Sequence, residues 1–428
     1  MPSRRRNYPN YTYGPETERF PWRNPVQITR IKPGGWIIIL LLLAGIIFGI
    51  RSCGHFVAGR PAATAGGDAG TSGGGAAATG LGGAAALTSQ QAGNGDILIS
   101  TTGTKQKWLQ TESDKFNGQS QGGKVTLNIT ESRQALHDIL DSKLQPVLWS
   151  PSSPVWTSRL AEVWPQTHGG ASIGDPGDSQ SYRVLFKSPL VFLTTKRKVG
   201  YLKPILSGAN PWEAVRQLGA GQRKAPWGAF HFAYADPLNA SSGMLTMSLI
   251  VTEYTRTHGG ADDPAAAVSS PAFAAYLGQL DRAYVHDAAT SGSSALEKAF
   301  TAEPGRRDFI TAYENAALAA VDRDPNLAII YPVPTANADQ GVLLLSAPWV
   351  SDSQKKTAQA FLDFLSRPEA RDDGVQQYFR PAQGDVRLLA RRLGPDARAQ
   401  LQISPPTIDL QPYDALNEAA SQWRTQMK

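Results

Sequence analysis

The chain of 428 residues is 41% hydrophobic, which is enough apolar material for a large core or for two lobes. Its formal net charge is +6, and basic residues crowd the N-terminal segment, so the charge indicates membrane topology and excludes an extended nucleic-acid surface. The single cysteine, Cys53, excludes an intrachain disulfide and a cysteine-based metal site.

The N-terminal segment predicts a membrane tether. Residues 1–35 are polar and basic and predict a disordered cytoplasmic tail, and residues 36–52 are an apolar run that predicts a single-pass transmembrane signal anchor. An alternative is lipidation at Cys53, because Ile50-Arg51-Ser52-Cys53 resembles a bacterial lipobox, although Arg51 departs from that pattern. Both alternatives place the rest of the chain outside the cytoplasm of a bacterium.

A linker and a folded domain follow. Residues 53–95 are rich in Ala, Gly, Thr and Ser and predict a flexible linker, so the folded domain is expected over residues 96–428. Its first part alternates between strand and helix patterns, as in a parallel sheet covered by helices. The predicted strands cover 97–100, 125–129 and 146–149, and the predicted helices cover 105–116, 132–140 and 155–164.

A second α/β region is inserted before the chain returns to the first. Strands predicted at 189–195 and 342–346 fit crossovers between two lobes, lobe 1 over about 96–189 and 347–428, and lobe 2 over about 196–340. The predicted fold class is therefore α/β, a two-lobed clamshell with a hinged cleft. A final helix at 412–427 is expected to pack on the first lobe.

Polar side chains at strand ends predict the ligand site. Ligands of such sheets lie beyond the carboxyl ends of the strands, and hydroxyls follow two of these ends, at 100–104 and 150–153. In the second lobe, Ser241, Ser242 and Gly243 stand at a predicted helix start, where free N–H groups and the helix dipole favour an anion. The simpler interpretation is that Ser241 only caps its helix.

Catalytic and metal motifs are weak. No Gly-x-Ser-x-Gly pattern surrounds Ser241 or Ser242 and no His-Glu-x-x-His pattern occurs, so the chain is predicted not to be an enzyme and to need no metal or cofactor. A Thr-His-Gly-Gly sequence recurs at 167–170 and 257–260, which favours helix C-termini closed by glycine. Gly118–Lys124 fits the start of a P-loop but leads into a strand. Lys105 is expected at a solvated helix start, with help to an anionic ligand as the alternative.

Several segments together resemble the type II periplasmic substrate-binding proteins. More narrowly, the chain resembles the bacterial extracellular solute-binding group related to molybdate- and sulfate-type binding proteins, some of which are associated with von Willebrand factor A domains. The resemblance covers about residues 96–392. The matching segments are Ile99–Lys105, Pro146–Trp156, Ser188–Phe192, Ala235–Gly243, Ala312–Glu314, Ala328–Pro332 and Ala347–Val350.

The resemblance implies a type II periplasmic-binding-protein clamshell that holds a small polar or anionic ligand in its cleft. A carboxylate at Glu314 would repel a bare oxyanion and suit an amine, a sugar or a metal chelate. The residues implied to bind ligand are Ser100, Thr101, Thr102, Ser150 and Ser152 in the first lobe and Ser241, Ser242, Gly243, Tyr313 and Glu314 in the second.

Two functions follow from this interpretation. The first is a membrane-tethered solute-binding protein for uptake through an ABC-type permease, with a protein carrying a von Willebrand factor A domain as a further candidate partner. The alternative is a sensor or scaffold of the same fold, which signals or assembles through its transmembrane helix and cytoplasmic tail. Neither function involves nucleic acid.

Overall fold

The computed structural model of the chain describes residues 95–119 and 122–426. The predicted tail, anchor and linker, with Cys53, lie outside these residues, apart from Gly95 at the end of the linker. Within the described ranges, no helix combines the length and the apolar composition needed to cross a membrane.

A parallel three-stranded unit opens the domain, as predicted. Strand β1 (Ile97–Thr101) lies between β2 (Val125–Ile129) and β3 (Leu148–Ser150) and pairs in parallel with both. Each strand is followed by a helix whose apolar face is buried, which confirms the β-α-β-α-β-α order. These helices are α1 (Gln106–Gln119), α2 (Ser132–Leu140) and α3 (Pro154–Thr167).

The remaining elements build a second sheet and complete the first. In chain order they are β4 (Tyr182–Thr195), α4 (Lys196–Leu206), α5 (Pro211–Gly219), β5 (Phe232–Ala233), α6 (Ser241–His258), α7 (Pro264–Val268), α8 (Pro271–Asp281), a 3₁₀ turn (Ala288–Ser291), α9 (Ser293–Ala302), β6 (Phe309–Tyr313), α10 (Glu314–Arg323), β7 (Leu327–Ile330), β8 (Asn337–Leu344), α11 (Asp352–Leu365), α12 (Pro368–Gln376), β9 (Arg380–Pro381), α13 (Arg387–Arg392), α14 (Pro395–Gln400) and α15 (Tyr413–Gln426).

Strand β4 belongs to both sheets. Residues 182–189 pair antiparallel with β8, which also pairs with β3, so this part extends the first sheet in the order β2-β1-β3-β8-β4. Residues 190–195 pair instead with β6 and β7, and β5 joins β6 in parallel, which makes the second sheet. A buried apolar run, Leu190–Leu193, lets this part of β4 sit inside the second sheet.

Strand β8 begins earlier than the sequence indicates. Its first residues, Asn337–Gly341, are mostly polar and have low strand propensity, so the sequence predicts only its apolar end at 342–345. In the structure Ala338 and Gln340 turn inward and the half-buried Asn337 and Asp339 alternate with them. The chain therefore returns to the first sheet at residue 337 rather than at 342.

The C-terminal helix packs elsewhere than predicted. Helix α15 was expected on the first lobe, but it packs chiefly against α6, α7 and α8, which belong with the second sheet. Trp423 causes this placement, because its buried ring packs against Tyr234 and Tyr284. At the other end of the helix, Tyr413 meets Trp156 of α3, with ring centroids 5.9 Å apart.

Candidate ligand-binding site

Three helix starts meet where the first sheet faces the second. Ser132, the first residue of α2, shares a hydrogen bond of 3.0 Å with Ser241, the first residue of α6. The same Ser132 oxygen accepts the backbone N–H of Ser152, two residues before α3 begins. Because the first N–H groups of a helix have no partner within it, this junction gathers positive dipole ends and N–H donors in one place.

The hydroxyls around this junction form one chain of contacts, which we call the hydroxyl cluster: Thr102, Ser132, Ser152, Ser241 and Tyr313. Thr102 Oγ1 lies 2.5 Å from Ser152 Oγ. The Tyr313 hydroxyl donates to the Ser152 carbonyl oxygen over 3.5 Å. All five side chains are buried. The cluster joins loops and helices of the first sheet to α6 and β6 of the second.

Trp156 supports the hydroxyl cluster from the first-sheet side. Its ring is fully buried in α3, and its indole N–H donates to Ser241 Oγ over 2.8 Å. The sequence favours a core role for this tryptophan, and the structure adds a polar contact to it. The sequence does not predict that Ser132 belongs to the site. The only signal for it is its position, because it is a serine at the start of an apolar helical pattern that follows a turn.

Three of the predicted ligand-binding residues, instead, form hydrogen bonds within the first sheet. Ser100 Oγ donates to Asn128 Oδ1 over 3.2 Å, and Thr101 Oγ1 donates to the Ser150 carbonyl oxygen over 3.1 Å. Ser150 Oγ donates to the Gly341 carbonyl oxygen over 2.7 Å. These side chains fix the strand ends that carry Thr102 and Ser152 into the cluster.

Ser242 and Gly243 lie beside the cluster at the start of α6. Ser242 Oγ is 2.6 Å from Ser293 Oγ, so the start of α6 is tied to the start of α9. Gly243 packs so closely on the turn at 235–237 that a Cβ atom there would overlap the Ala235 carbonyl oxygen. The glycine therefore allows this turn and the helix start to touch.

Glu314 is neutralised by its surroundings. Arg380 of β9 donates to both carboxylate oxygens, over 2.9 Å from Nε and 2.5 Å from Nη2, and the Tyr331 hydroxyl donates over 2.6 Å. Both Glu314 and Arg380 are buried. The repulsion of an oxyanion expected from Glu314 is thus offset, because the carboxylate already has a guanidinium counter-ion.

Burial raises the pKa of Glu131, next to Ser132, and it also raises that of Glu297 on α9. The Glu297 carboxylate accepts the backbone N–H of Tyr313, its buried Oε1 has no hydrogen-bond partner within residues 95–119 and 122–426, and burial raises its pKa to about 8. A carboxyl whose pKa is higher in the folded than in the unfolded state binds more protons when folded. The stability of the protein should therefore fall as the pH rises from the unfolded value of 4.5 to about 8.

We expect Glu297→Gln to remove the part of this fall that Glu297 causes and to raise the free energy of unfolding at pH 8.5 by roughly 1–3 kcal/mol. The amide oxygen can still accept the Tyr313 N–H, so the fold is retained. Urea unfolding at pH 5.5, 7 and 8.5 measures the effect, with Glu303→Gln, an exposed residue on the same segment, as the control. Parallel pH profiles for Glu297→Gln and the wild-type protein would contradict the assignment.

The two Thr-His-Gly-Gly sequences end helices, as predicted. His168 follows α3 and stacks on Trp164, and His258 ends α6 and stacks on Tyr254. In each case the two glycines have positive φ angles. Among the residues that the structure describes, no group of three or more His, Cys, Asp or Glu side chains is arranged to hold a metal ion.

Comparisons with solved structures show the fold. A substrate-binding protein of an ABC transporter from Agrobacterium tumefaciens is 14% identical, with a TM-score of 0.51 over 79% of this chain and 96% of that one. Iron-bound HitA from Pseudomonas aeruginosa is 15% identical, with a TM-score of 0.50 over 77% and 99%. An ABC transporter structure from Clostridium perfringens is 13% identical, with a TM-score of 0.50 over 78% and 100%.

These neighbours share the mixed α/β, two-lobed fold of type II periplasmic binding proteins, as expected from the resemblance. No curated protein matches the sequence significantly. The model of one family, bacterial extracellular solute-binding protein, matches residues 97–379, which is most of the domain and includes the whole hydroxyl cluster. The chain therefore belongs to the bacterial extracellular solute-binding proteins.

Proposed function

We propose that this solute-binding protein takes a small oxyanion at the hydroxyl cluster and delivers it to an ABC-type permease. The observation that carries the proposal is the contact of Ser132, at the start of α2, with Ser241, at the start of α6. This contact brings two helix N-termini and their hydroxyls from opposite sheets to one point. Helix starts and hydroxyl donors suit an oxygen-rich anion better than a cation.

Opening and closing would proceed about β4. Three contacts link elements of the two sheets at the cluster: Ser132 with Ser241, Trp156 with Ser241, and Tyr313 with Ser152. A ligand that enters the cluster would accept hydrogen bonds from these donors in place of their present acceptors. Residues of both sheets would then bind the ligand, and binding would stabilise the closed form. The continuous strand β4 is the element that can bend between the sheets.

The delivery step motivates the proposed tether. With residues 36–52 as a membrane anchor, and residues 53–95 as a flexible linker, the domain would stay near a permease and remain free to turn. Small-angle scattering before and after addition of ligand would report closure through a smaller radius of gyration. An unchanged radius in the presence of saturating ligand would count against hinge closure.

The proposal is tested by isothermal titration of the full chain in mild detergent with sulfate, molybdate, phosphate, ferric citrate and glucose. We expect saturable binding of at least one oxyanion and none of glucose. Ser241→Ala should weaken that binding on the order of 10- to 100-fold, because a hydrogen bond to a charged ligand is lost.

Ser269→Ala provides the matched control, since Ser269 is exposed and bonds only to the carbonyl oxygen of its own helical turn. It should bind as the wild-type protein does. Binding of ferric citrate or glucose alone would contradict the oxyanion assignment. Equal affinities in Ser241→Ala and the wild-type protein would contradict the location.

A further inference from the structure

Lys105 is a buried lysine that has no carboxylate partner among the residues the structure describes. It stands between β1 and α1, and its side chain is only 1% exposed, in contrast to the solvated position expected from the sequence. Its ammonium donates to the Pro151 carbonyl oxygen and to Gln340 Oε1, each over 2.8 Å. Both acceptors are neutral, so the hydrogen bonds leave the positive charge uncompensated.

The charged residues of the neighbouring elements do not face this ammonium. Lys107, two residues along the chain, is exposed. Asp339 lies next to Gln340 on β8 but on the other face of the strand, where it accepts from Asn337 and is opposite Lys187. The loop that carries Pro151 has no titratable residue between Ser150 and Ser153. Burial alone therefore lowers the pKa of Lys105 to about 7.

The ammonium lies next to the hydroxyl cluster. The Pro151 carbonyl oxygen that it contacts belongs to the same peptide group as the Ser152 nitrogen, so the ammonium lies no more than about 5 Å from that nitrogen. Ser152 N–H donates to Ser132, and Ser152 Oγ contacts Thr102, both members of the cluster. The backbone N–H of Lys105 also donates to the Thr102 carbonyl oxygen, over 3.3 Å.

We propose that Lys105 is a specificity-determining residue whose ammonium supplies the counter-charge for the anion, so that binding of an oxyanion is coupled to uptake of a proton by Lys105. The inference rests on the proposed function and deepens it, since it restricts the ligand to a net anion. A buried ammonium without a counter-ion is costly, and an anion at the cluster offsets that cost. A neutral sugar or a cation would not offset the cost of burying the ammonium.

The coupling has a defined direction. The charged form of Lys105 binds the anion, and the pKa of Lys105 is about 7 before binding and higher in the complex. Affinity should be constant below about pH 7 and should fall above it, by about tenfold per pH unit at most. A lysine that only fills space between Pro151 and Gln340 would leave the affinity independent of pH.

The test uses sulfate and molybdate, neither of which titrates between pH 6 and pH 8.5, with the full chain in detergent. Titration calorimetry at both pH values, in two buffers of different ionisation enthalpy at each, gives the affinity and the protons taken up. We expect affinity to fall about 10- to 30-fold from pH 6 to 8.5, with up to one proton taken up at pH 8.5. Lys105→Met should lose this pH dependence and bind about 10- to 100-fold more weakly at pH 6.

Lys105→Arg should retain the charge and bind with little pH dependence, and the exposed control Lys107→Met should match the wild-type protein. Binding by the wild-type protein with a flat pH profile and no proton uptake would overturn the inference and leave the proposed function standing. Binding of none of the oxyanions at pH 6 would overturn both. If Lys105→Met fails to fold by circular dichroism, the wild-type profile and its proton uptake still decide.

Discussion

Replacing Gly243 by alanine is expected to lower the free energy of unfolding by about 3–5 kcal/mol. An added Cβ would overlap the Ala235 carbonyl oxygen and approach the Asp236 carbonyl carbon to 2.8 Å. These are backbone atoms, so the clash cannot be relieved by a side-chain rotation. The start of α6 must move away from the turn, and Ser241 and Ser242 move with it. Urea unfolding measures the loss of stability, and titration with the bound oxyanion measures the loss of affinity.

Gly200→Ala is the matched control for this prediction. Gly200 also lies inside a helix, α4, and among the described residues no atom outside its chain neighbours and its own helix backbone lies within 4 Å of an added Cβ. Because alanine favours a helix over glycine, Gly200→Ala should be neutral or stabilising by up to about 1 kcal/mol. Equal effects at the two positions would show that helix propensity, and not the close contact at the turn, determines the result.

Loss of Arg380 is the second large effect that we expect. Arg380→Met leaves the buried Glu314 carboxylate with Tyr331 as its remaining side-chain donor, which should cost about 3–5 kcal/mol of stability. Arg380 also donates to the carbonyl oxygens of Gln402 and Ile403, so the segment before α15 loses an anchor. Urea unfolding of the variant measures the total cost.

A double-mutant cycle separates the ion pair from these other contacts. Arg380→Met combined with Glu314→Leu should be more stable than the sum of the two single changes indicates, because neither buried charge is then left alone. The exposed pair Asp141 and Lys143, with a contact of 2.7 Å, is the control, and Asp141→Asn should cause no resolvable change. Additive effects at Glu314 and Arg380 would contradict the role of the buried pair.

Local patterns in the sequence predict much of the fold. Helix α2 is predicted with the bounds that it has in the structure, since Ala135, Leu136 and Ile139 form a clear apolar face. The largely apolar residues 230–235 predict a strand, but only Phe232–Ala233 form one. His231 before it exchanges hydrogen bonds with Asp308, and the Tyr234 carbonyl oxygen after it accepts from the Tyr284 hydroxyl. Strand bounds are therefore harder to predict than helix bounds where tertiary contacts take the place of hydrogen bonds to a neighbouring strand.

The candidate site is only partly predictable from the sequence for a different reason. The rule that ligands lie at strand ends and helix starts predicts Thr102, Ser152 and Ser241. The counter-ion of the Glu314 carboxylate is Arg380, 66 residues away, and the burial of Lys105 depends on Gln340, 235 residues away. No pattern in the neighbourhood of either residue in the sequence reveals these contacts, because they arise when β8 and β9 join the first sheet.

The most direct test of the account observes the hydroxyl cluster itself. The indole N–H of Trp156 donates to Ser241, so its resonance in a ¹⁵N-correlated spectrum reports on any ligand that reaches Ser241. Trp156→Phe assigns the resonance. We predict that the oxyanion found by calorimetry shifts it saturably, with the same affinity, and that the shift is lost in Ser241→Ala. Saturable binding that moves other resonances and leaves that of Trp156 unchanged would place the ligand elsewhere and contradict the account.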